Sequence, residues 1–232
     1  MKKSDLYLLL IVLILFLPFF LSDGIYSFYK TTNAEHPFLV GFIKFAVLAT
    51  MGESIGLRVR EGVYNKSGFG LLPRAIVWGF LGLTIVMAFQ IFSSGAPVFL
   101  KTLGMSNATE ALGGPMGWSR IIVAFTISVT LNLIYAPVMM TIHKITDTQI
   151  IRYGGKVSGL MKPLMMGEII SNLDWKVQWN FIFKKTIPFF WIPAHTITFL
   201  LPVEFRVLFA ALLGIALGVI LSIGVLMSKK VK

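Results

Sequence analysis

The sequence predicts an all-α fold, a polytopic membrane bundle of helices, and three observations carry that prediction. Hydrophobic residues make up 56% of the chain and charged residues only 13%, with mean hydropathy +0.81. Soluble domains carry about 25% charge, so this chain cannot cover itself with polar surface. Six apolar segments approach or reach the ~20 residues that a helix needs to cross hydrocarbon. The cations gather on alternate connections between those segments, as the positive-inside rule requires. A single transmembrane domain over residues 1–232 is expected, without internal repeats.

The first segment, Leu6–Leu21, follows Lys2-Lys3 and ends at Ser22-Asp23-Gly24. No A-x-A cleavage site follows it, so it reads as an uncleaved helix rather than a signal peptide. Phe38–Leu57, Leu71–Phe92 and Ile121–Ile142 are the next three. Turn chemistry separates them at Asn33–Pro37, Asn65–Gly70 and Gly113–Gly117. The fifth, Ile187–Leu201, is short, about 22 Å as a helix. Pro188 and Pro193 interrupt it and Pro202 follows it. It either spans or re-enters, which leaves four to five full spans secure. The sixth is Val207–Met227.

With the N-terminus in the cytoplasm, six spans put sixteen Lys and Arg inside and four outside, with Lys44 within the second segment. Both termini are then cytoplasmic. Of the inner cations, seven lie on the basic connection 143–185. There Val157, Leu160, Met161, Leu164, Met165 and Ile169 follow helical spacing, which predicts an amphipathic helix lying in the membrane interface. Trp175 and Trp179, just before Lys184 and Lys185, form an aromatic and basic anchor at the headgroup level. The net charge of +11 is therefore read as topology and anionic-lipid contact. No basic run exceeds two residues, which argues against nucleic acid.

Small residues four apart mark helix packing. Gly52 and Gly56 form one pair, Ala210, Gly214, Gly218 and Ser222 a ladder, and Ala124, Ser128, Asn132 and Ala136 another. These serve an internal bundle, a homo-oligomer, or both. The functional candidates are ionisable and polar groups within apolar segments, because such groups are costly in hydrocarbon. They are Glu53, Asn132, His195 and Thr198 as a pore lining or polar path. Arg60 is the expected ion-pair partner of Glu53, Glu204 that of Arg206, and Lys44 is expected to snorkel.

No enzyme motif is present: no H-E-x-x-H, G-x-S-x-G or Walker loop. The chain has no cysteine and its histidines, at 36, 143 and 195, lie in different segments, so no metal site or other cofactor is expected.

The stretch from Trp191 resembles the C-terminal signature of the 22-kilodalton peroxisomal membrane protein family, which includes Mpv-seventeen. Trp191 and Pro193 match its Trp-Pro element, Phe199 its Phe, Pro202 and Arg206-Val207 its Pro and Arg-Val, and Leu221-Ser222 its end. Ser128, Asn132, Pro137, His143 and Asp147 look like its preceding helix, and Gly52-Glu53 and Trp78-Gly79 like earlier ones. His195 stands where the family has Gln and Thr198 where it has Asn, and Phe199 to Pro202 is one residue tighter. The resemblance implies channel-like permeation of small solutes or ions. It also points to a bacterial member in the cytoplasmic (inner) membrane, or an organellar one. The alternative is a non-conducting, lipid-binding scaffold.

Overall fold

A computed structural model describes residues 2–230, with side chains described as far as residue 219. Leu221 and Ser222 of the signature and the ladder, and Lys229, Lys230 and Lys232, lie outside the described side chains.

The fold is an all-α bundle, and no strand occurs among the described residues. Helix α1 (Lys3–Leu21) leads into α2 (Asp23–Glu35), α3 (Pro37–Glu61) and α4 (Leu71–Thr102). A single turn, α5 (Ala108–Ala111), precedes the long α6 (Trp118–Arg152). After the 3-10 turn Val157–Met161 come α7 (Met166–Ser171) and α8 (Trp175–Val177). A π-helical stretch, Gln178–Trp191, continues into α9 (Ile192–Leu200), and α10 (Val203–Lys230) closes the chain. Among the residues searched, α1, α3, α4 and α6 are long and apolar enough to cross a membrane. Their outward faces are apolar: Ile14, Leu39, Phe80, Ile91 and Ile134 are all more than half exposed. These helices make a membrane-embedded protein the fitting description.

Local chemistry sets the breaks. Ser22 Oγ accepts from the Ile25 amide at 3.3 Å and caps α2, a helix the sequence reading missed. Pro37 opens α3 at a position that needs no amide hydrogen. Gly62, at φ +80°, ends it in the left-handed conformation.

Two expectations are corrected. The basic connection 143–185 is mostly helix, because α6 continues to Arg152 and the fifth segment begins at Trp175. Its interior is not one amphipathic helix. Pro163 drives Lys162 extended (φ −82°, ψ 151°), so the apolar residues from Val157 to Ile169 divide between a 3-10 turn and a separate short helix. Helix α10 starts at Val203, directly after Pro202, and holds Arg206 in its first turns.

The fifth segment is longer than its apolar run. From Trp175 to Leu200 it is continuously helical, and its middle is π-wound. Pro188 cannot donate to a carbonyl four residues back and its ring crowds that carbonyl, so the wider turn relieves the clash. Thr186 Oγ1 follows the same step, donating to the Phe181 carbonyl five residues back at 3.2 Å. Wide turns of this kind are usually single and found at functional sites.

The core lies where α3, α4, α6, α9 and α10 meet, around Phe45, Ile85, Phe89, Ile127, Leu131 and Phe199. At Gly52 a Cβ would come within 2.9 Å of the Ile215 backbone, so α3 and α10 cross in close contact there. At Gly82 a Cβ would meet the Gly41 carbonyl at 2.8 Å, a second crossing, between α3 and α4. Gly56 is buried on α3, and a Cβ on Gly218 would lie 3.2 Å from the Gly52 carbonyl. Gly214 differs: a Cβ there would meet nothing within 4 Å.

Candidate functional site

That space beside Gly214 belongs to a cavity of about 310 Å³ enclosed by α3, α4, α6, the π-helical stretch, α9 and α10. The volume sits at the lower end of ligand pockets. Its wall is mainly apolar, with Phe45, Ile85, Leu131, Met139 and Leu217 among the lining residues. Polar groups enter at two levels.

The deeper level is Asn132 and His195. Asn132 is fully buried on α6. Its Nδ2 donates to the Ser128 carbonyl at 2.8 Å and lies 3.0 Å from His195 Nδ1. Asn132 Oδ1 lies 3.2 Å from the same nitrogen, so the amide donates to it or accepts from it according to the imidazole tautomer. The ring is held edge-on to Phe89, centroids 5.7 Å apart, and tilted beside Trp191 at 5.1 Å. Ser128 Oγ reaches across to the Ile192 carbonyl at 2.7 Å. The small residues of α6 thus bring its backbone close to α9 and satisfy buried polar groups of both helices.

The second level lies eleven residues along α6, about 16 Å away. There Glu53 on α3 holds three partners. Its Oε1 accepts from Trp78 Nε1 at 2.7 Å and stands 2.9 Å from His143 Nε2. Its Oε2 accepts from Arg74 Nη1. Arg74, only 7% exposed, also donates from Nε to the Phe69 carbonyl at 2.7 Å and pairs through Nη2 with Asp147. Opposite charges so arranged satisfy one another where desolvation would otherwise be prohibitive. Lys144, whose side chain is 53% exposed, also lines the cavity and marks its open end. Phe89, at the wall beside His195, packs on the fully buried Phe199 at 5.0 Å.

The structure brings Glu53, Asn132 and His195 to one cavity. Thr198 is not among its lining residues: it is fully buried and its hydroxyl donates to the Ala194 carbonyl at 2.9 Å. Short polar side chains in helices satisfy themselves this way. Glu53 pairs with Arg74 and His143 rather than Arg60, because α4 and α6 reach it in the fold. Arg206 donates from Nε to the Leu201 carbonyl at 3.0 Å, beyond the end of α9, and has no ion pair with Glu204 among the described residues. Lys44 bends to Asn33 on α2, Nζ to Oδ1 2.6 Å. Pro193 lies in the first turn of α9, and Pro202 separates it from α10. Trp175 and Trp179 are exposed at the start of the fifth segment, and Lys184 and Lys185 are exposed on its π-helical part.

Arg74, Trp78, His143, Asp147 and Gln178 went unrecognised as a site in the sequence. His143 and Asp147, four apart on a helix, share a face, a signal that could have found them. Gln178 is buried against the cavity, and its amide forms no hydrogen bond among the described residues. Trp191 Nε1 is also buried with no partner. Among the described residues the Gln178 amide is thus a neutral hydrogen-bonding group left unused at the cavity wall, whereas the Trp191 N–H lies behind it.

Comparison with protein-family models, curated proteins and solved structures finds no match to this chain.

Proposed function

We propose that this is an integral membrane protein that admits a small, uncharged solute into its central cavity and passes it across the bilayer. The observation that carries the reading is the cavity itself. Lys144 and Glu53 line it at one level and Asn132, His195 and Phe89 at the other. The carboxylate at its wall is already paired, and the Gln178 amide, without a hydrogen bond among the described residues, is neutral. A largely apolar wall with a few neutral hydrogen-bonding groups favours a non-electrolyte over a hydrated ion. The resemblance of the Trp191–Ser222 stretch to a family associated with small-solute permeation supports the same reading.

The test is osmotic swelling of proteoliposomes carrying the full chain, with urea, glycerol and propane-1,2-diol as solutes. Permeability to at least one should rise several-fold above protein-free vesicles, with potassium and chloride leak unchanged. Met139→Trp, which fills the lumen, should return it to baseline. Solute permeability equal to that of empty vesicles, or ion leak rising in parallel, would overturn the reading.

A further inference from the structure

A second cavity, about 630 Å³, lies on the other side of α3, between α1, α2, α3 and α10. It exists because α1 stands off α3 between ties near its two ends. At one end Asp5 accepts from Arg58 Nε at 2.8 Å, Arg58 Nη2 at 3.0 Å and the Tyr64 hydroxyl at 3.0 Å. Towards the other, Phe19 packs edge-on against Tyr29, 5.3 Å between centroids. Between these ties Phe16 reaches the core but no residue of α1 is buried, and Leu15 and Phe16 on α1 and Val47 and Leu48 on α3 line the gap.

This gap is not uniformly apolar. Lys44 lines it, only 8% exposed. Among the described residues two uncharged groups lie beside its ammonium. Asn33 Oδ1 accepts one hydrogen bond at 2.6 Å, and the Tyr29 ring lies 4.8 Å from Nζ. No carboxylate pairs with it among the described residues. Tyr29 brings no negative charge either: burial pushes its hydroxyl up to about 12, and it donates to the Glu204 carbonyl at 3.3 Å. An ammonium has three donors. A buried one without a counter-ion is costly unless an anion is supplied.

We propose that this cavity is a binding site for a single-chain anionic amphiphile. Its acyl chain would lie between α1 and α3 along Leu15, Phe16 and Val47, and its carboxylate or phosphate would sit on Lys44. The volume suits such a ligand, since ligand sites run to about 300–1,000 Å³. The charge supplies the choice: an ordinary membrane chain would fill the apolar gap and leave the ammonium uncompensated. Lys44 is seven residues into α3, about 10 Å from its start, and bends toward α2. The headgroup therefore sits at the level of that short helix, with the tail below it. The site is independent of the central cavity and does not rest on the solute reading.

The test is binding to the purified full chain in dodecyl maltoside, read by isothermal titration calorimetry and by thermal shift. The probes are oleate, lysophosphatidate, lysophosphatidylcholine and monoolein. Oleate or lysophosphatidate should bind at least tenfold tighter than monoolein, and which of the two is tighter identifies the headgroup. Lys44→Met should erase that preference and leave monoolein binding as it was. Lys44→Arg should keep the preference, and Lys30→Met, at an exposed lysine on α2, should not change it. Where Lys44→Met does not fold, Val47→Trp gives the second readout. It should block all four ligands without changing solute flux. Equal binding of oleate and monoolein, or an unchanged preference in a folded Lys44→Met protein, would overturn the proposal.

Discussion

Asn132 and His195 are 63 positions apart in the chain, and in the fold Asn132 Nδ2 is 3.0 Å from His195 Nδ1. The pair ties α6 to α9 at the deeper level of the central cavity. Asn132→Leu leaves the imidazole nitrogen buried without a partner, which costs about 1–3 kcal/mol. Replacing both, Asn132→Leu with His195→Phe, removes the orphaned group and should recover a good part of that loss. Denaturant titration of the four proteins in detergent checks this through the coupling energy of the double-mutant cycle. Additive single effects would mean that the two side chains do not act as a pair.

Arg74 carries the other level of the cavity. It compensates Glu53 and Asp147 at once and also holds the Phe69 carbonyl. Arg74→Met should therefore destabilise by about 3–5 kcal/mol, the usual result of leaving buried charge uncompensated. Glu53→Gln should cost less, because an amide still accepts from Trp78. The ordering is the informative result, and thermal unfolding of the two variants measures it. A larger loss for Glu53→Gln would move the weight of the cluster from Arg74 to His143 and Trp78.

Two glycines on facing helices make opposite predictions. Gly52→Val places methyls where the Ile215 backbone already stands within 2.9 Å of a Cβ. Overpacking of that kind costs about 1–3 kcal/mol. Gly214→Ala meets nothing within 4 Å, and alanine is the better helix former by up to ~1 kcal/mol. It should be neutral or stabilising and should narrow the central cavity, so stability holds while solute flux falls. Melting temperatures and swelling rates of the two variants separate packing from lining.

The glycine pair also shows how much could be read without coordinates. Spacing alone placed Gly52, Gly56, Gly214 and Gly218 on packing ladders. It could not tell which member meets a neighbour and which faces a void, because that depends on the crossing between helices. The bundle and its apolar segments were legible because hydrocarbon length and hydropathy are local properties. Glu53, Asn132 and His195 stood out because each is expensive where it lies. Their grouping was not legible, and neither were the partners of Glu53, since Arg74 read as a topology charge and His143 as the start of a loop. Proline spacing warned of an irregular fifth segment. It did not show that the helix would begin twelve residues earlier, at Trp175, and absorb its prolines by widening.

A cysteine scan can trace the cavity directly, because the native chain has no cysteine to mask. Three environments are distinguishable. Met139, Gln178 and Leu217 line the cavity, and single cysteines there should react with a small hydrophilic methanethiosulfonate. Leu133 and Ile134 are about 60% exposed but on the outer face of α6. In a bilayer they should react only with a membrane-permeant maleimide. Thr198 is fully buried, and its cysteine should resist both reagents until the protein is unfolded. Equal reactivity of Met139 and Ile134 toward the hydrophilic reagent would mean that water does not distinguish the inside of this bundle from its lipid face.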